Sequence, residues 1–256
     1  MVSSVWEGMF VGLSAAAIGL YFLAIKVSNR KSHLSRWPWS RTVCWITGIL
    51  AALLVMAGPL AEAVHTNFTS HMLGHLLLGM LSPLLLVLSS PIKLFLRALP
   101  VPAARRVTKF MRKSKYVQFI THPVTASILN IGGLWLLYTT SLFQWMHENF
   151  WLYLLVHAHV FLAGYVFTSA MIYIDPVSRR FRYVYRSVVF ILALAAHQIL
   201  SKFIYAYPPD GVPREQAEAG GMLMYYGGNV VDAIIIYMIC LEWYRFARYR
   251  KFVKQA

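Results

Sequence analysis

Charge is what this chain lacks. Only 13% of its 256 residues are Asp, Glu, Lys or Arg, where a soluble domain carries about 25%. A deficit of that size leaves no room for a large soluble domain, and 59% of the chain is hydrophobic. Acidic residues are scarcest: 9 stand against 24 Lys and Arg, for a net charge of +15. On a soluble protein such an excess would suggest nucleic acid. In an apolar chain it reads better as orientation signals flanking membrane spans, and no nucleic-acid partner is expected. Cysteine is nearly absent. Cys44 and Cys240 lie far apart and no C-x-x-C occurs, which argues against a disulfide framework or a thiolate metal motif. The absence of C-x-x-C-H excludes covalent c-type haem attachment.

Long apolar stretches are abundant. A helix needs roughly 20 apolar residues to cross the bilayer core, and seven stretches qualify: residues 5–27, 42–60, 71–88, 123–142, 150–174, 187–205 and 221–243. Lipid offers no hydrogen bonds, so these are expected to be helices. The sequence therefore predicts an all-α polytopic membrane protein, with residues 1–256 forming one integral membrane domain, a seven-transmembrane-helix bundle. The first stretch has its basic residues after the apolar run and no A-x-A cleavage site, so it is expected to be a retained span rather than a signal peptide.

The connecting segments alternate in charge. Lys26, Arg30, Lys31, Arg36 and Arg41 lie between the first two spans, while the next segment carries Glu62 and His65 and no basic residue. The third holds eight Lys and Arg between Lys93 and Lys115; the fourth holds His147 and Glu148 only. The fifth carries Arg179, Arg180, Arg182 and Arg186, the sixth is mainly acidic, and the tail is basic again. By the positive-inside rule the N-terminus is expected outside and the C-terminus in the cytoplasm. Residues 91–122 are basic and amphipathic, and are expected to lie along the cytoplasmic lipid headgroups.

Ionisable residues within spans are costly and mark polar sites. His71 and His75 are four apart, so a helix places them on one face, the second roughly 6 Å deeper. His157 and His159 are two apart and point in nearly opposite directions, so one of them faces a given site. His197 follows on the sixth span. On the seventh, Met222, Tyr225, Asn229 and Asp232 recur at helical spacing beside Gly228. Seven of the nine histidines map to the outer half or the outer loops. Each has a plain alternative as an interhelical hydrogen-bond partner, and the methionines as packing residues. Their convergence favours a polar, metal-handling site. Neutral imidazoles with thioethers nearby and no usable thiolate suit copper or haem iron, and zinc less clearly.

The runs H-M-L-G-H-L-L-L-G-M-L-S-P-L-L-L-V-L-S-S-P-I-K-L-F-L-R-A-L-P (71–100), V-H-A-H-V-F-L-A-G-Y-V-F-T (156–168), A-A-H-Q-I-L-S-K-F-I-Y (195–205) and M-L-M-Y-Y-G-G-N-V-V-D (222–232) together resemble the seven-span CtaG-type, caa3-associated cytochrome c oxidase assembly proteins of Gram-positive bacteria. The resemblance implies a multi-pass protein of the bacterial plasma membrane that works with cytochrome c oxidase subunits to mature a haem-copper oxidase, commonly by copper delivery. It carries the family's histidines onto His71, His75, His157, His159 and His197, and its acidic position onto Asp232. The expectation is a metallochaperone, not an enzyme: His71 and His75 at the entrance, copper held by a subset of His157, His159, His197 and Met222, and Asp232 orienting an imidazole. The alternative is a membrane haem-binding protein or an intramembrane enzyme using the same cavity, with His197, Lys202 and Asp232 in acid-base roles. Membrane lipid is the other expected partner.

Overall fold

A computed structural model describes residues 4–255. In chain order the helices are α1 (Ser4–Asn29), α2 (Trp39–Met56), α3 (Pro59–Thr66), α4 (Phe68–Leu88), α5 (Pro91–Ala98), α6 (Val101–Lys113), α7 (Lys115–Ile120), α8 (Pro123–Thr139), α9 (Leu142–Glu148), α10 (Phe150–Met171), α11 (Tyr183–Ala206) and α12 (Arg214–Gln255). No strand occurs among the described residues. Six helices (α1, α2, α4, α10, α11 and α12) are long and apolar enough to cross a membrane. A seventh span arises if α8 and α9, bent by 80° at their junction, count as one.

Local chemistry sets where the helices stop. The expected second span runs on to residue 60, but α2 ends at Met56: Gly58 takes φ 89°, a left-handed conformation, and Pro59 starts α3. The Asn67 side chain caps α4 by accepting from Ser70 N–H, and Asn149 caps α10 by accepting from Trp151 and Leu152 N–H. The expected seventh span begins at residue 221, whereas α12 begins at Arg214, about two turns earlier.

Large apolar side chains face outward along the long helices, among them Leu13 and Leu20 of α1, Leu155 and Leu162 of α10, and Ile191, Leu192 and Ile199 of α11. In water this would be a very large exposed apolar patch; in lipid it is the expected surface. α4 is the centre of the bundle, with two thirds of its most apolar window buried. It packs against α2, α10 and α12. The Ser82 hydroxyl donates to the Gly48 carbonyl of α2 at 2.7 Å.

Contacts sort the helix ends onto two sides. On the basic side, the three donors of Lys31 Nζ reach the carbonyls of Arg97, Ala98 and Leu99 at the end of α5. The Asp175 carboxylate caps the start of α5, accepting from Ile92 and Lys93 N–H at 3.1 and 2.9 Å. Burial pushes its pKa up, and those two hydrogen bonds partly oppose the shift. Arg186, expected to be an orientation charge in a loop, is instead fully buried. It donates to the Met171 carbonyl at 2.5 Å and to Glu242 at 2.7 Å, and stacks on Tyr173. On the opposite side gather α3, α9, the start of α4 and the start of α12, where Phe68 N–H donates to the Gln216 side chain at 2.8 Å. This is the histidine end.

Candidate functional site

At the histidine end an open vestibule of about 450 Å³ lies between α3, the start of α4, α9 and residues 210–216, with His65, His71 and His147 on its walls. The rings form a chain. Centroids are 6.5 Å apart for His65 and His147, 6.0 Å for His147 and His71, and 6.1 Å for His71 and His157. Two of these rings are held by their own helices. His147 Nδ1–H donates to the Phe143 carbonyl at 2.8 Å, and His157 Nδ1–H to the Tyr153 carbonyl at 2.9 Å. Each bond fixes the tautomer and leaves Nε2 with a free lone pair, which is how metal-binding histidines are usually oriented. His71 Nε2 lies 3.1 Å from the Tyr138 hydroxyl. His71 Nδ1 and His65 Nε2 are buried with no hydrogen-bond partner among the described residues. Burial lowers the pKa of His65, and the charge of His147 adds to the shift.

One helical turn deeper is a second, smaller space. His75 of α4, His197 of α11 and Asp232 of α12 line a cavity of about 20 Å³, enough for roughly one water-sized occupant. The two imidazole centroids are 6.0 Å apart. Both nitrogens of His75 and Nε2 of His197 are buried without a hydrogen-bond partner among the described residues. Such an orphaned polar atom costs about 1–3 kcal/mol, and native proteins rarely leave one without a reason. The backbone makes room for the rings. A Cβ at Gly228 would meet His197 Cε1 at 2.9 Å. Directly after His75, α4 widens to π-helical bonding over Leu76–Leu81, and α8 does the same over Ile128–Gly132. Both widened turns reach the cavity, through Gly79 and Met80 on one side and Asn130 and Ile131 on the other. Helical bulges of this kind frequently sit at functional sites.

The residues singled out from sequence separate into two sets. His71, His75, His157, His197 and Asp232 are buried and adjoin one another or the inner cavity. His159 faces away: it is exposed, and its Nε2–H donates to the Leu129 carbonyl at 3.1 Å. Met222 is also exposed, while Met224, two residues on, is fully buried together with Met72 against Phe68, Tyr138 and Tyr153. Asn229 accepts from Gln198 Nε2 at 2.6 Å, and Lys202 stacks on Tyr225, so neither joins the histidines. Sequence reasoning left His65, His147 and Tyr138 outside the site. Histidines in connecting segments that have no Lys or Arg were the available signal for the first two. Among the described residues no three His, Cys, Asp or Glu side chains converge in a metal-holding arrangement. Asp232 makes no hydrogen bond or ion pair there either, so its carboxylate is uncommitted.

Fold and site define a class: a helical bundle with the apolar helices of a membrane protein and a file of histidines running from an open vestibule at one end to buried imidazoles within. The chain belongs to the cytochrome c oxidase caa3 assembly factor family (Caa3_CtaG), whose model matches residues 19–246. It is similar to an uncharacterised protein of Mycobacterium leprae, 33% identical over 190 residues, which are 72% of this chain and 29% of that protein. Uncharacterised proteins of Mycobacterium bovis and Mycobacterium tuberculosis are each 31% identical over 189 residues, 71% of this chain and 28% of theirs. The chain thus spans under a third of the length of these curated relatives. No solved structure matches it.

Proposed function

We propose that this chain serves haem-copper oxidase assembly by taking up copper at the histidine end and passing it to oxidase subunits. The basic end faces the cytoplasm in this reading, because Lys and Arg collect there. The histidine end then faces outward, in seven-span topology with α8 and α9 as one bent span.

The observation that carries the reading is the file of imidazole pairs with uncommitted nitrogens. A ligating nitrogen lies about 2 Å from a first-row metal ion and about 1 Å from its ring centre, so two imidazoles holding one ion in linear coordination have centroids about 6 Å apart. The pairs along this file stand 6.0 to 6.5 Å apart. The donor set fits a soft or borderline ion: neutral imidazoles, two buried thioethers at Met72 and Met224, and no thiolate. That combination suits copper better than zinc, whose structural sites gather four ligands around one point. Copper here is cargo. Asp232 lines the same cavity as His75 and His197, and its carboxyl can give up a proton to offset the charge of an arriving cation.

The test is elemental analysis of purified protein after copper loading. Copper should co-purify with the wild type and fall to background in a His71→Ala/His75→Ala double variant. Unchanged stoichiometry removes both residues from the proposal. A Soret band in the protein as isolated would replace copper with haem as the bound group, although about 20 Å³ at the inner station is far below the roughly 300 Å³ at which small-molecule sites begin.

A further inference from the structure

At the basic end, α6 stands over a groove of about 790 Å³ whose other walls are α5 and the segment after α1. No residue of α6 is buried, so the helix has little protein beneath it. Seven cations line the groove and no carboxylate does. Two of the seven are already committed. Lys31 caps the end of α5, and Arg97 donates to the Ser35 carbonyl and stacks on Trp37. The other five, Lys93, Arg105, Lys109, Arg112 and Lys113, form no ion pair among the described residues; the pairs found there are Arg186–Glu242 and Arg214–Glu218. Arg105, Lys109, Arg112 and Lys113 fall at i, i+4, i+7 and i+8, which puts them on one face of α6. Leu96, Leu99, Val101 and Ala104 supply an apolar wall along the same groove.

Topology signals need only be basic and solvated. Here the cations instead converge on a concave space, with an apolar flank that a headgroup alone would not require. We propose that this groove binds the headgroup of an anionic glycerophospholipid from the leaflet at the basic end, its phosphate among the α6 cations and its acyl chains along Leu96, Leu99 and Val101. Charge complementarity names the occupant: five unpaired cations in a groove at the headgroup level of a membrane protein face an anionic leaflet. Phosphate-bearing anions are the natural partners of clustered Arg and Lys. The groove is separate from the histidine end, so the proposal stands whether or not copper is the cargo there.

The experiment uses the full chain in detergent with limiting phosphatidylglycerol or phosphatidylcholine, and counts retained lipids by native mass spectrometry. The wild type should retain phosphatidylglycerol in preference to phosphatidylcholine. The variant Arg105→Gln/Lys109→Gln/Arg112→Gln/Lys113→Gln should lose that retention by about tenfold or more. A control variant, Arg30→Gln/Arg36→Gln/Arg106→Gln/Lys115→Gln, removes as many charges from outside the groove and should keep it. Equal loss in both variants, or no loss in the first, overturns the groove. Displacement of the lipid by equimolar inorganic phosphate overturns the lipid as its occupant. Should the groove variant fail to fold, a photoactivatable phosphatidylglycerol on the wild type decides: crosslinks should fall within residues 93–113, and crosslinks confined elsewhere refute the proposal.

Discussion

The crossing of α4 and α10 tests the architecture most directly, because it lies one turn beyond His75, where Gly79 lines the inner cavity. A Cβ on Gly164 would collide with the carbonyl oxygen of Gly79 and stand 3.1 Å from both its carbon and Pro83 Cγ. The oxygen belongs to the backbone of the widened turn of α4 and cannot rotate aside. Gly164→Ala must therefore push the two helices apart. Overpacking costs about 1–3 kcal/mol, and a backbone partner puts this case at the upper end, about 3 kcal/mol. For a chain of this size about 2–4 °C is lost per kcal/mol, which predicts a fall in melting temperature of about 6–12 °C. Gly79→Ala should cost less, since the nearest atom to its added Cβ is Val160 Cγ1 at 2.8 Å, on a side chain that can turn. Gly12→Ala on α1 reverses the sign: nothing lies within 4 Å, and alanine is favoured over glycine within a helix by about 0.5–1 kcal/mol. The assay is thermal unfolding in detergent, followed by circular dichroism and by copper retention. If Gly164→Ala melts no lower than Gly12→Ala, the helix contact and the inner cavity built on it are wrong.

Three other outcomes follow from the same structure. His157→Ala should lower retained copper while His159→Ala leaves it unchanged, since the His159 ring faces away and donates to the Leu129 carbonyl; elemental analysis of the two proteins checks this. His65 has a folded pKa below its unfolded value of about 6.5, so its contribution is fully present above that pH and is lost as the pH falls through it, because the unfolded chain then binds the extra proton. The melting temperature of the wild type should accordingly drop further between pH 7.5 and 5.5 than that of His65→Gln. Arg186→Met should cost about 2–3 kcal/mol, read from the same melting curves. That is below the 3–5 kcal/mol of a fully buried broken pair, because Glu242 is 46% exposed and solvent screens it. A shift within error would show that Arg186 is only an orientation charge.

Helix existence was legible in the sequence because it depends on apolar length alone. Departures came from chemistry that runs of hydropathy do not encode. Thr139 to Leu142 reads as the end of a span, but the chain bends there and α9 turns across the vestibule to present His147. The widening after His75 leaves no mark in L-L-L-G-M-L, since a π-turn arises from how the helix packs and not from local propensity. The face of His157 was undecidable from spacing; the packing of α10 turns it inward and His159 outward, and its Nδ1–H then donates to the Tyr153 carbonyl one turn back. Met222 and Asp232 share a helical stripe in projection, yet the start of α12 packs closely at Gly221 and Met224, which turns Met222 outward. Gly164 packs closely against Gly79.

A protein that must release its metal has reason to avoid a closed site. Under the proposed function, three or four ligands converging on one point would hold copper tightly, whereas pairs arranged in series would offer two at a time and let an ion exchange partners. His71 is the shared member, within 6.1 Å of both His147 and His157, and the step from His71 to His75 is the i,i+4 spacing of α4, about 5–6 Å between Cβ atoms. The two residues should therefore fail differently. His71→Ala breaks the link between vestibule and inner cavity but leaves the His75–His197 pair intact, so loading should slow severalfold while final stoichiometry changes little. His75→Ala removes the inner station and leaves the entrance, so the initial rate should persist while final stoichiometry falls. Stopped-flow uptake with a colorimetric copper(I) chelator as donor separates the two. Identical kinetics in both variants would mean that His71 and His75 act as one ligand pair on one ion, and the serial arrangement would have to be abandoned.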